Sequence, residues 1–143
     1  MEAFGLVGNG RVLARILDNG TLTEMFFPSI GFYRHIIQSQ FGFTEAGGDL
    51  YWLSDKRLDR RQYYLEDTNV LVTAARRDGL LIEVADFVPM EQAAVVRKVE
   101  LRNTRPTPIS LRFYHVEAAS LEENRDNFSN NMTYYDTIHR CLV

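Results

Sequence analysis

Acid–base hydrolysis uses two carboxyl groups facing one bond, one protonated as general acid and one ionised as base or nucleophile. Glu122, Glu123 and Asp126 are the densest acidic cluster of the chain. They fall in a polar stretch, residues 121–127, that reads as a long surface loop, and nothing in their spacing aims two of them at one cleft. A solvated loop is the plainer reading. Aromatic stacking is a second candidate chemistry, since flat rings pack against apolar ligand faces while polar neighbours bond the ligand's edges. Trp52, Tyr51, Tyr63, Tyr64, Tyr134 and Tyr135 are the possible platforms. In a strand, neighbours point to opposite faces, so one ring of each adjacent pair is expected in the core and the other outside. Core packing or an interface with another domain is the plainer role for them.

A third cluster is Gly31-Phe32-Tyr33-Arg34-His35, which joins ring, cation and imidazole on an expected loop, where function concentrates. Tyr33, Arg34, His35 and Trp52 are the candidates for substrate binding or domain contact. His35, His115 and His139 lack metal-ligand spacing, and His115 is expected to be a hydrogen-bonded core histidine. Cys141 is the only cysteine, so no internal disulfide and no cysteine metal cluster is expected. Gly8-Asn9-Gly10 precedes an expected strand, where a phosphate loop would open a helix. No metal and no cofactor is predicted.

The elements that would position these residues are short strands. Residues 11–27 predict a hairpin about Asp18-Asn19-Gly20, because Asn-Gly tolerates the positive φ of a tight turn, and Pro28 ends its second strand. Residues 4–7 predict a leading strand. From Phe32 to Phe43 the apolar spacing is irregular, and a loop with one helical turn is expected. Residues 50–53 and 63–65 read as strands. Residues 69–75 and 80–88 flank Arg76-Arg77-Asp78-Gly79 as a second hairpin, with Leu80, Ile82, Val84 and Val88 on one face. Residues 94–103 alternate, Val95, Val99 and Leu101 lying inward. Residues 109–115 are expected to be the hairpin partner of that strand, with Leu111, Phe113 and His115 inward and Arg112 and Tyr114 outward. Two final strands are expected around Asp136.

No helical period is sustained, and about seven to eleven short strands argue for one all-β domain over residues 1–143, an antiparallel β-sandwich. A chain of this length buries roughly 68–70% of its unfolded surface. It ends on Arg140-Cys141-Leu142-Val143, apparently within a strand, which predicts a sandwich short of its full strand set. A net charge of −3 with interspersed signs argues against nucleic acid as a partner. No apolar run predicts a membrane span or a secretion signal, so a cytoplasmic protein is expected.

Gly8-Asn9-Gly10-Arg11, Asp18-Asn19-Gly20-Thr21 and Phe27-Pro28-Ser29, followed in order by Gly48-Asp49-Leu50-Tyr51-Trp52, residues 97–103 and residues 131–136, resemble the amino-terminal domain of glycoside hydrolase family 15 proteins. That family includes prokaryotic glucoamylases, glucodextranases and trehalases. The resemblance implies a supersandwich-like fold without catalytic residues of its own, packed against a helical-barrel catalytic domain in the same or a separate chain. The parent activity it implies is inverting hydrolysis of α-glucosidic bonds with release of glucose. Two rival readings stand beside it: a free-standing carbohydrate-binding module taking α-glucan or another carbohydrate, and a self-associating β domain forming a homo-oligomer.

Overall fold

The computed structural model describes residues 3–28, 33–119, 135–136 and 141–142, and among these there are strands and no helix. Strands β1 (Phe4–Gly8), β2 (Leu13–Leu17), β3 (Leu22–Phe27) and β4 (Tyr33–Glu45) run as an antiparallel meander, with β5 (Leu50–Trp52) returning along the far end of β4. The second sheet is β6 (Asp59–Tyr64), β7 (Leu71–Arg77), β8 (Leu80–Phe87) and β9 (Val96–Asn103). The chain then crosses back, and β10 (Leu111–Ala119) pairs with β4, giving the order β1-β2-β3-β4-β10 in the first sheet. β11 (Tyr135–Asp136) and β12 (Cys141–Leu142) form a separate antiparallel ladder. The result is the expected antiparallel sandwich.

Both expected hairpins are present, with different turns. Asp78 and Gly79 both take positive φ, 43° and 77°, the mirror-image turn whose twist suits two adjoining strands. In the β2–β3 turn only Gly20 is left-handed, at φ 80°, while the Asn19 side chain accepts the Thr21 N–H at 3.0 Å.

Two expectations are corrected. The stretch from Phe32 to Phe43, expected as a loop with one helical turn, lies in its described part within the thirteen-residue strand β4. Its alternation is hidden because the register against β10 slips between Ala118 and Ala119, so that Ile36 and Ser39, three apart, are both buried. Residues 109–115 are also not the hairpin partner of β9. The Pro106 and Pro108 connection changes sheets, tied down by the Thr104 N–H donating to Gly79 O and by Arg105 gripping the Glu45 carboxylate at 2.7 Å. The inward face of β10 was nevertheless read correctly, since Phe113 and His115 stand opposite Phe43 and Phe41.

The core has two lobes, one around Val7, Ala14, Ile16, Leu22 and Leu71 and the other around Phe41, Phe43, Leu53, Ile82 and Val84. At one side the sandwich is closed by Tyr64, whose hydroxyl accepts the Leu6 N–H and donates to Leu6 O, both at 2.8 Å, capping the outer edge of β1. β6 thus faces β1, and β9 reaches β4 through Arg97. The four-stranded sheet therefore spans β1 to β4, and β10 overhangs it. Leu111, at the start of its inward face, packs against the second core lobe, whereas Phe113 further along is 43% exposed.

Ile16 is fully buried in the first lobe. Ile16→Ala is expected to cost about 2–5 kcal/mol in urea unfolding; a loss well under 1 kcal/mol would contradict this placement of the core.

Candidate functional site

The inward phase of β8 includes Asp86 and that of β9 includes Arg97, which face each other in register. Asp86 is 0% exposed and the Arg97 side chain 9%. All five guanidinium protons are used. Nε donates to Asp86 Oδ1 at 2.6 Å, Nη2 to Asp86 Oδ2 at 3.3 Å and to Gly20 O at 2.6 Å, and Nη1 to Ser39 O at 2.9 Å and Ser39 Oγ at 3.1 Å. The guanidinium also lies 4.7 Å from the Phe41 ring centre. Burial pushes the Asp86 carboxyl up, opposed by Arg97. With no proton to spare, Arg97 ties the second sheet to the β2–β3 turn and to β4 and has none left for a ligand.

The network continues outward. Ser39 Oγ is 3.0 Å from His115 Nε2, and Glu117 Oε2 is 3.3 Å from the same nitrogen. A serine–histidine–carboxylate relay needs serine and acid on opposite ring nitrogens. Here both meet Nε2, and Ser39 is 1% exposed, so a nucleophile relay is excluded by geometry. His115 is hydrogen-bonded as expected, but its side chain is 43% exposed and it is no core residue, because β10 overhangs.

These residues wall a trough under β10. One cavity of about 350 Å³ is lined by Leu22, Met25, Ile36, Phe41, Val95 and His115, with Glu117 at its rim. A second, about 320 Å³, shares Met25 and Ile36 and extends past Val12, Phe27 and His35. Glu117 is the sole carboxylate among the described residues lining either cavity, whereas glycoside hydrolysis by the usual route needs two. Among the described residues no group of three or more His, Cys, Asp or Glu is placed to hold a metal.

Of the four candidate residues, Tyr33, Arg34 and His35 are consecutive at the start of β4 and Trp52 is separate, on β5. Arg34 and His35 lie on β4, where a loop was expected. Arg34 donates to Thr23 O at 2.6 Å and Ile36 O at 3.3 Å, binding β4 to β3, and His35 Nε2 lies 3.0 Å from Phe27 O beside the trough. Tyr33 begins β4, and its side chain is outside the described residues, as are Gly31, Phe32, Glu122, Glu123, Asp126, Tyr134 and His139. Trp52 lies on the opposite, outward face, in register with Gly42 and across from Tyr114. Leu50, Thr44 and Arg112 form the neighbouring row, and Gln40 and Val116 the row beyond. Tyr51 faces inward against Phe43 and is held between two guanidinium groups, Arg77 at 3.6 Å and Arg57 at 4.4 Å from its ring centre. Tyr51 and Trp52 are both half-buried, so neither is a fully buried core ring.

Arg97, Asp86 and Ser39 were not singled out by sequence reasoning. A signal existed: Asp86 shares the phase of Leu80, Ile82, Val84 and Val88, and Arg97 that of Val95, Val99 and Leu101. Two opposite charges on adjoining inward faces point to a buried pair.

The fold and these side chains define an antiparallel β-sandwich with a buried ionic tie and, among the described residues, an edge strand whose inner face is partly exposed. No protein-family model matches the chain. It is similar to one part of a glycosyl hydrolase: an uncharacterized glycosyl hydrolase of Methanocaldococcus jannaschii is 28% identical over 120 residues, 84% of this chain. The chain spans about a fifth of that relative, the match covering 19% of it. No helix among the described residues is long and apolar enough to cross a membrane.

Two predictions follow from the charges. Arg97→Met leaves Asp86 buried without its partner and is expected to cost about 3–5 kcal/mol in urea unfolding. Adding Asp86→Leu should recover only part of that, because Gly20 O and Ser39 O still lack a donor; full recovery would mean that the tie between sheets contributes nothing. At the surface, hydrogen bonds from the Arg57 side chain and backbone N–H hold the Asp55 carboxyl down at about 2, against an ordinary 3.8. The folded value is the lower one, so this contribution is present above pH 3.8 and is lost as pH falls towards 2. Asp55→Asn should flatten that part of the stability–pH curve, and an unchanged curve would contradict the pairing.

Proposed function

We propose that this chain is a non-catalytic β-sandwich domain of a glycoside hydrolase, and that its overhanging strand β10 packs against the remainder of that enzyme. The observation that carries the reading is the inward face of β10, which from Phe113 onward is left exposed among the described residues. Phe113 and His115 extend the row of Phe43 and Phe41 beyond the second sheet and leave apolar surface that stable proteins cover. Similarity to about a fifth of a glycosyl hydrolase supports a role as one part of a larger machine. Glu117, the one carboxylate among the described residues lining the trough, fits a supporting role, with the acid and base carried elsewhere.

The finer reading rests on the motif resemblance. In it the parent enzyme is glucoamylase-like and cleaves α-glucosidic bonds with inversion, and the partner is a helical barrel, in the same chain or a separate one. The domain's work is then mechanical: it buries a sheet face and holds the start of β4, with Tyr33, Arg34 and His35, towards the catalytic part.

The test is immunoprecipitation of this chain from its source cells, with intact and native mass spectrometry and an α-glucosidase assay on the product. The expected product is a polypeptide or complex several-fold heavier than 16.5 kDa that releases glucose from maltotriose. In cells carrying Phe113→Asp, that mass or activity should fall. A lone 16.5 kDa species without activity would overturn the proposal.

A further inference from the structure

The outward face of the first sheet carries an aromatic row unrelated to the trough. Trp52 on β5 and Tyr114 on β10 flank Gly42 on β4, all in register. A Cβ at Gly42 would lie 2.7 Å from Trp52 Cε3 and 2.9 Å from Cζ3, so the absence of a side chain there lets the indole settle onto the β4 backbone. With neighbouring strands about 4.8 Å apart, the Trp52 and Tyr114 backbones stand about 10 Å from each other across the glycine. Tyr114 is 38% exposed and Trp52 half-buried.

Polar groups border this row on both long sides. Ser54 Oγ donates to the Gln40 amide at 3.4 Å, leaving the other end of that amide unpaired among the described residues. On the opposite side the exposed Arg112 stands in register with Thr44. Each flanking row pairs a polar group with an exposed apolar one, Gln40 beside Val116 and Arg112 with Thr44 and Leu50, so an amide and a guanidinium stand within one row of the two rings. Two rings with hydrogen-bonding side chains one row away match a ligand that is apolar on its faces and hydroxylated at its edges, which describes a pyranose ring.

We propose that the Trp52–Gly42–Tyr114 row is an oligosaccharide-binding platform, on which successive sugar rings stack across β5, β4 and β10 while Gln40 and Arg112 bond their hydroxyls. The proposal deepens the hydrolase reading and rests on it for the ligand class, a glucan. The platform would hold the polymer on a domain that does not cleave it.

Trp52 is the only tryptophan in the chain, so its fluorescence reports on the platform directly. The experiment titrates the 143-residue chain with maltoheptaose, isomaltotriose and cellohexaose, following tryptophan emission, with circular dichroism to establish folding. At least one glucan should give a saturable change at millimolar concentration or below. Tyr114→Ala should weaken binding about five- to tenfold, the size of one lost ring contact. Arg112→Ala should also weaken it, while Tyr63→Ala on the other sheet should leave it unchanged. No saturable response from the folded chain, or binding indifferent to both Tyr114→Ala and Arg112→Ala, would overturn the platform. If the parent protein still hydrolyses glucan in that case, the hydrolase reading survives. If Tyr114→Ala splits the parent complex without affecting glucan binding, the face is a contact between domains and the proposal falls.

Discussion

The guanidinium of Arg97 is the constraint on which the arrangement of the two sheets depends. A charge taken out of water is tolerated only where its partner and its remaining protons are satisfied. Here one carboxylate and two backbone carbonyls do this, and they come from β8, β4 and the β2–β3 turn. The first sheet cannot slide over the second without stripping donors from Gly20 O and Ser39 O. Hydrophobic burial in the two core lobes supplies the driving force, but it is indifferent to small shifts that directed hydrogen bonds resist. The clamp thus sets which part of the first sheet is covered and leaves β10 outside.

That overhang links packing to function. Tyr64 closes the β1 edge by taking both backbone groups of Leu6, and among the described residues β10 has no such cap. Its inward side continues the core row past the second sheet, with Phe113 exposed among the described residues, while its outward side carries Tyr114 beside the Trp52 and Gly42 pair. One strand therefore presents two different surfaces: an apolar one proposed to meet another domain and an aromatic one, with Gln40 and Arg112 beside it, proposed to take a sugar chain. Among the described residues neither surface places two carboxylates together.

Much of the fold was legible because its signals are local. Asp-Gly and Asn-Gly marked both hairpins, and the run from Leu80 to Val88, apolar on both faces and closed by Pro89, marked β8. β4 was not legible, since a bulge near Ile37 puts Ile36 and Ser39 in one buried phase and the two-residue period disappears. The partner of β10 was missed for a different reason: pairing between strands far apart in sequence leaves no local trace, and adjacency favoured β9. At the site, Trp52 was legible as an aromatic in a strand, but its platform depends on Gly42 and Tyr114, which only the register brings to it. Arg34 looked like a ligand-binding cation, yet the β3 and β4 carbonyls take its protons.

The most direct test of the account is hydrogen exchange of the β10 amides, compared between the 143-residue chain alone and the same residues within the protein purified from its source. The account predicts fast exchange along the outer edge of β10 in the isolated chain and strong protection in the parent, with β7 and β8 protected equally in both. Equal, rapid exchange of the β10 edge in both forms would show that nothing packs there, and the reading of this sandwich as a docked domain of a glycoside hydrolase would fail.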